Sequence, residues 1–371
     1  MKICAIVAEY NPLHNGHLYH INSVKKIADA IVIIMSGHIM QRGSLAMYDK
    51  WSRTQAALNC GADLVIELPT AFSCASAERF AHSAIYLIKE LKYINMINFG
   101  SESGDIDKLN HLAHICQKID KTDTINHYLK KGYSYPKARQ LAIGPSAEML
   151  SLPNNTLGVE YIKACLNLNF KISLNTTKRL TNNKSNNFVS SSYIRTNIDQ
   201  LANYVPNKIL NLYKSPSKFS SDLLFYILRN MTVSDFYKLP DVTEGLEHRL
   251  YKASKSASNI NEFFELVKTK RYTMSRLRRI SFYALLNMQK QHLPKLPQYA
   301  RVLGFNKIGQ EILSQSKKAT NILVTSNFKN IAKNFPYSSN LDSKATDLFM
   351  FSQKSKKPCG LDYTKKPIIN L

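Results

Sequence analysis

Short apolar runs alternate with stretches of helical period over the first two hundred residues or so of the chain. Ile3 to Ala8, Ile31 to Met35, Asp63 to Leu68 and Asn95 to Phe99 are rich in β-branched side chains and have the length of strands buried on both faces. Between them Leu18, Ile21, Val24 and Ala28 recur at helical spacing, followed by Trp51, Thr54, Ala57 and Leu58, and then by Ala81, Ala84, Ile85, Ile88 and Leu91. This alternation predicts an α/β fold with a parallel sheet wrapped by helices. Ligands of such sheets bind at the carboxyl ends of the strands.

Beyond residue 200 the pattern changes. Apart from Ile322 to Thr325 the strand signal fades, and Asp222 to Arg229, Ile260 to Lys268 and Ser275 to Gln289 carry helical periodicity. A mainly α-helical second part is expected over residues 206–371, after an α/β domain over residues 1–205. The prolines and small polar residues between Val205-Pro206 and Ser215-Pro216-Ser217 mark the junction. The Lys-, Pro- and Ser-rich stretch from Ser352 onward reads as a weakly ordered or surface tail.

Composition narrows the function classes. The longest apolar runs fall well short of the roughly 18 residues a membrane span needs, and Ile3 to Ala8 is too short for the core of a signal peptide, so a cytosolic protein is expected. The six cysteines include no C-x-x-C pair, which predicts neither disulfides nor zinc. Charge is the outlier: 50 Lys and Arg against 26 Asp and Glu give +24. Residues 1–200 contribute +7 and residues 201–371 contribute +17, so the attraction to a polyanion belongs mostly to the second part.

The strand Ile3 to Ala8 runs into Glu9-Tyr10-Asn11-Pro12-Leu13-His14-Asn15-Gly16-His17 and then into an amphipathic helix. A glycine between two histidines at a helix start lets backbone approach a phosphate, and the first-turn N–H groups favour the anion. His14 and His17 can then donate to charge developing on a phosphate undergoing displacement. A bare H-x-G-H reads equally as two loop histidines beside a turn glycine. The second element is Val189-Ser190-Ser191-Ser192-Tyr193-Ile194-Arg195, in which hydroxyls at a helix start are followed one turn later by an arginine. That is a clamp for outer phosphates, or in the plainer reading an N-cap.

Together these segments resemble the adenylyltransferases of the H-x-G-H superfamily. The longer text (Met35-Ser36-Gly37, Gln41-Arg42-Gly43, Lys50-Trp51-Ser52-Arg53-Thr54, Gly61 to Pro69, Phe99-Gly100-Ser101-Glu102, Pro153-Asn154-Asn155) is similar to the tRNA(Met) cytidine acetate ligase family. The likeness is close over about the first 200 residues and looser through Lys270-Arg271-Tyr272-Thr273. It implies a Rossmann-like nucleotidyltransferase domain of HUP type. It further implies ATP as substrate, magnesium arriving with the nucleotide, acetyl-adenylate as intermediate, and acetyl transfer to N4 of the wobble cytidine of elongator tRNA(Met). The family's ATP loop maps onto Val7, Ala8, Glu9, Tyr10, Asn11, Pro12, Leu13, His14, Asn15, Gly16, His17, Leu18, Tyr19 and His20. Its other nucleotide contacts map onto Gly100, Asn154 and Arg179. Two positions depart from the family pattern: His38 stands where Asn is usual, and Thr181-Asn182-Asn183-Lys184-Ser185 replaces a loop that usually carries Tyr-His.

In the second part Lys268, Lys270, Arg271, Arg276, Arg278 and Arg279 fall within twelve residues around Tyr272. Read as a helix, Arg271, Ser275 and Arg278 share a face that could track RNA phosphates; read plainly, the run is a solvated helix face. Glu102, Asp105 and Asp107 could hold magnesium through water but fit a helix start as well, and no metal ligand is assigned. Two other function classes stay open. A small-molecule adenylyltransferase would not need the basic second part, and an RNA-binding protein regulated by nucleotide would release no pyrophosphate.

Overall fold

The computed structural model describes residues 1–120, 122–180, 187–243 and 245–370. Ten strands occur among them: β1 (Ile3–Ala8), β2 (Ala30–Ser36), β3 (Ile39–Met40), β4 (Ser44–Leu45), β5 (Leu64–Leu68), β6 (Met96–Ser101), β7 (Ser173–Lys178), β8 (Tyr299–Asn306), β9 (Leu323–Thr325) and β10 (Ile368–Asn370). The main sheet runs β10-β8-β5-β2-β1-β6-β7, with β9 also paired to β8. Five consecutive strands, β5-β2-β1-β6-β7, are parallel, as the alternating pattern predicts, and β1 aligns with β2 from Ile3 opposite Ala30 to Ala8 opposite Met35.

Strand alternation divides these apolar runs between two cores. Ile3 and Ala5 of β1 and Val32 and Ile34 of β2 face one, while Cys4 and Ile6, Ile31 and Ile33 face the other. Both faces of the sheet are thereby buried, which explains why the runs read as continuous rather than alternating. Chain order reverses beside β1, whose neighbours are β2 and β6. The crevice outside the carboxyl ends of β1 and β6 is therefore the topological place for a ligand.

Three strands lie past residue 205, where sequence periodicity suggests one. β8 runs antiparallel to β5 and sets Arg301 opposite Glu67. The charge in mid-strand interrupts the apolar pattern, yet it is buried: Arg301 Nη1 lies 3.2 Å from Glu67, Lys50 Nζ lies 2.7 Å from Glu67 and 2.8 Å from Asp362, and Arg301 also pairs with Asp362. Of the stretch from Ser352 onward, Lys354 to Cys359 lie on the surface as expected, but this four-charge cluster shows that its end is tied to the sheet. Asp362 is 1% exposed, and β10 pairs with β8 beyond it. β7 escaped notice as well, because Ser173-Leu-Asn-Thr-Thr-Lys forms a half-exposed edge strand with little apolar content.

The expected helices of the second part occur at Ser221–Asn230, Ile260–Val267 and Met274–Leu286. No helix among the described residues is long and apolar enough to cross a membrane.

Candidate active site

The loop after β1 turns into the helix Asn15–Lys25 through a reciprocal cap. His14 is the N-cap, and its Nδ1 accepts from the Gly16 N–H at 3.0 Å, while His17 Nδ1 accepts from the His14 N–H at 3.3 Å. Each ring therefore carries its proton on Nε2. A Cβ at Gly16 would stand 2.9 Å from His14 Cε1, so glycine is required for the ring to fold back over the turn. The two imidazoles lie 3.9 Å apart between centroids, and Tyr10 backs His17 edge-on at 5.0 Å.

Electrostatics keep these rings neutral. Burial first, then the Arg179 and Arg195 guanidinium groups, push His14 down to about 3. Burial and the neighbouring His14 hold His17 well below the usual imidazole value. Burial likewise takes His20 down to about 4, against the pull of its 2.7 Å hydrogen bond to Asn98 Oδ1. His14 Nε2 is buried and has no partner among the described residues, a donor left open toward the space the loop encloses.

That space is a cleft of about 330 Å³ joined to a smaller one through His17, His20, Gly100, Arg179 and Ser190. The structure brings the two sequence segments together here. Val7, Ala8, Glu9, Tyr10, Asn11, His17 and His20 line the larger part with Gly100, Asn154, Arg179, Ser190, Ser191 and Arg195, and His14, Gly16 and Tyr19 line the smaller. The remaining loop residues lie outside the lining. Pro12 and Leu13 are buried, Leu18 packs on the core, and the Asn15 amide donates to the Asn187 carbonyl at 3.4 Å.

Each polar wall is held from behind. Arg195 donates to the Asn11 carbonyl at 2.7 Å and to Ser192 Oγ at 2.9 Å, leaving further N–H groups for a ligand. Ser190 is the N-cap of the short helix Ser191–Thr196. Asn154, by contrast, is no cap: the Glu102 carboxylate accepts from the Asn154 and Asn155 N–H groups at the start of the helix Pro153–Asn167. It also holds the Asn154 side-chain amide at 2.6 Å. Glu102 is thus committed to a helix start, and Asp105 caps the helix Ile106–Ile119, so the acidic cluster is structural.

Phe80 and Tyr161 line the cleft without any signal in the sequence, and Gln41, Arg42 and Phe99 figure there only within family-like segments, with no site role assigned. The turn between β3 and β4 is fixed by Gln41, whose N–H donates to Glu9 at 2.7 Å and whose side chain donates to the Ala75 carbonyl at 2.7 Å. Gly43, with φ of 72°, lies so close to the backbone of Arg278 and Arg279 that a Cβ would fall 2.5 Å from Arg279 N. The turn therefore joins the cleft to the basic run.

Within that run the helix begins at Met274 with Thr273 as its cap, so Arg271 precedes it and does not share a helical face with Arg278. Lys268, Lys270 and Arg278 are exposed, and Arg271 is half-buried. Arg276 donates to the Asp241 carbonyl at 2.7 and 2.9 Å, and Arg279 is buried with its guanidinium 2.8 Å from the Asp241 carboxylate. Arg276 and Arg279 thus serve packing in this structure. Of the two departures from the family pattern, His38 is buried, stacks on Phe349 at 4.6 Å and accepts from the Lys50 N–H at 3.2 Å. The segment Thr181 to Ser185 lies outside the described residues.

Comparison with known proteins identifies the relatives of this chain. The HIGH Nucleotidyl Transferase family profile matches residues 1–361. The chain is 37% identical to the tRNA(Met) cytidine acetate ligase of Thermoanaerobacter sp. (strain X514) over 406 aligned positions that span all of both chains. It is 39% identical to that of Caldicellulosiruptor saccharolyticus over 99% of this chain and 98% of the relative. Among solved structures, Thermotoga maritima TmcAL bound with alpha-thio ATP superposes with a TM-score of 0.92 at 31% identity, covering 100% of this chain and 99% of the other.

Proposed function

We propose, for a chain that belongs to the HIGH nucleotidyl transferase family and within it to the tRNA(Met) cytidine acetate ligases, that this protein activates acetate with ATP and acetylates N4 of the wobble cytidine of elongator tRNA(Met) in the cytoplasm. A carboxylate oxygen of acetate attacks the α-phosphorus and forms the acyl–phosphate bond. The bond from that phosphorus to the bridging oxygen breaks, and its electron pair leaves with pyrophosphate. The cytidine amine then attacks the acetyl carbon, and AMP departs.

The observation that carries this reading is the buried His14 Nε2, without a partner among the described residues, beside a second neutral imidazole at a cleft lined by Arg179 and Arg195. Neutral donors fixed before reaction stabilise charge on the α-phosphate without having to reorganise. Ser190, Ser191 and Arg195 suit the β- and γ-phosphates. Gly100, Asn154 and Arg179 suit the nucleoside. Magnesium, when bound, neutralises the outer phosphates. No group of three metal-ligating side chains exists among the described residues, so the phosphates and water would supply most of its ligands.

Division of labour follows the charge. Residues 1–205, with β8 and β10 completing their sheet, activate the acid, while the helical remainder of residues 206–371 presents the tRNA, with Lys268, Lys270 and Arg278 as exposed phosphate contacts and Arg278 beside the Gln41–Gly43 turn. The test is exchange of labelled pyrophosphate into ATP without tRNA. Exchange that requires acetate supports the reading; tight ATP binding without exchange would mean a nucleotide-regulated RNA-binding protein instead.

A further inference from the structure

The cleft lining is mixed. His17, Arg179, Ser190, Ser191 and Arg195 suit phosphates, Glu9, Asn11, Gln41 and Arg42 add further polar groups, and Ile6, Phe80, Leu157 and Tyr161 supply an apolar component. Nucleoside triphosphates are charged or polar everywhere except at the base. The base has a place at the rim, beside Gly100 and the tethered Asn154 amide.

Asn154, Leu157 and Tyr161 follow one face of the helix Pro153–Asn167, so Tyr161 lies about 10 Å further along the axis than Asn154. It reaches the carboxyl end of β1, where burial and then the Glu9 carboxylate push its hydroxyl up from the ordinary phenol range. Phe80 comes from the helix Ala77–Glu90, which packs against the Tyr161 helix. We propose that Phe80 and Tyr161 form the acyl pocket, the wall against which the hydrocarbon end of the acid packs and which limits its length. The proposal rests on the reading that a carboxylic acid is adenylated in this cleft.

The wall has little room to retreat. Phe80 is 2% and Tyr161 5% exposed, and the Tyr161 ring lies 5.6 Å from that of Phe99. Phe99 is in turn pressed by the helix at Gly158, where a Cβ would fall 2.5 Å from its ring. Close-packed rings meet an added methylene with displaced neighbours rather than with free space. On this proposal the acetate methyl meets the two rings, and a longer chain must push one of them.

The test compares acids of increasing length in pyrophosphate–ATP exchange, using acetate, propionate and butyrate. Wild-type enzyme should favour acetate over propionate by roughly 10- to 200-fold, the range one methylene gives in an apolar pocket. Phe80→Ala should raise the propionate-to-acetate ratio by about tenfold, and Phe80→Leu should raise it less. The ratio is internal to each preparation, so partial unfolding cancels; where the alanine variant does not fold, the leucine variant decides. An unchanged ratio overturns the proposal, as does an unchanged ratio with a raised KM for ATP, which would put the base on this wall. Wild-type enzyme with no acid-dependent exchange would remove the activation reading itself, and the acyl pocket with it.

Discussion

His17 Nδ1 accepts from the His14 N–H while His14 Nδ1 accepts from the Gly16 N–H, which puts both ring protons on Nε2, and His14 Nε2 has no partner among the described residues. A histidine used this way is a hydrogen-bond donor rather than a titrating acid. Replacing His14 or His17 by Ala is expected to slow acetate-dependent pyrophosphate exchange by about 10²- to 10³-fold each, the cost of one transition-state donor. Far-ultraviolet circular dichroism should remain that of wild type. Exchange within a few-fold of wild type in both variants would remove them from the chemistry.

Because burial and the nearby arginines depress His14 to about 3 and His20 to about 4, and hold His17 well down, none of the three should titrate between pH 5 and 8 in the free protein. NMR of 15N-labelled imidazoles checks this directly. The sign for stability follows. An unfolded histidine titrates near 6.5, so the stability gained by keeping these rings neutral is complete above that value and is lost as pH falls toward the depressed ones. A site histidine titrating near 6.5 would contradict the electrostatic account.

The basic run separates into two kinds of residue. Replacing exposed Lys268, Lys270 and Arg278 together by Ala should weaken tRNA binding and flatten its salt dependence by roughly one counterion per lost phosphate contact. Arg279→Ala should instead lower folding stability, by up to roughly 3 kcal/mol, because it strips a charged partner from Asp241. Salt-series binding and chemical denaturation read the two effects. Unchanged affinity in the triple variant would make the run a solvated face.

The cluster of Lys50, Glu67, Arg301 and Asp362 ties the end of the chain to the sheet. Burial pushes the Asp362 carboxyl up, but Lys50 and Arg301 outweigh it and hold the group well below the usual range. Its contribution is therefore present at neutral pH and lost only as pH falls through that depressed value. Lys50→Met leaves buried carboxylates in excess and should cost roughly 3–5 kcal/mol in urea unfolding at pH 7. A loss under about 1 kcal/mol would show that the cluster relaxes or hydrates when one member goes.

Four of the five parallel strands were legible, since burial on both faces makes Ile3–Ala8 and its partners continuously apolar. β7 and β8 were not, for opposite reasons: the edge strand needs little apolar surface, and Arg301 is neutralised only by residues far off in the chain. The H-x-G-H loop and the serine segment are local motifs and could be read. Gln41, Arg42, Phe80 and Tyr161 reach the cleft from a turn and two helices through tertiary packing, which no local spacing encodes. Arg276 and Arg279 joined the basic run on charge alone, whereas the structure spends both on Asp241.

Transfer of acetyl to a tRNA cytidine at the expense of ATP can be measured directly. Purified protein, elongator tRNA(Met), ATP and isotopically labelled acetate can be incubated together and the tRNA digested for mass spectrometry. Labelled N4-acetylcytidine is expected at the wobble position, absent without ATP and formed far more slowly by His17→Ala. Unmodified cytidine in the complete reaction, or label that appears without ATP, would contradict ATP-driven transfer.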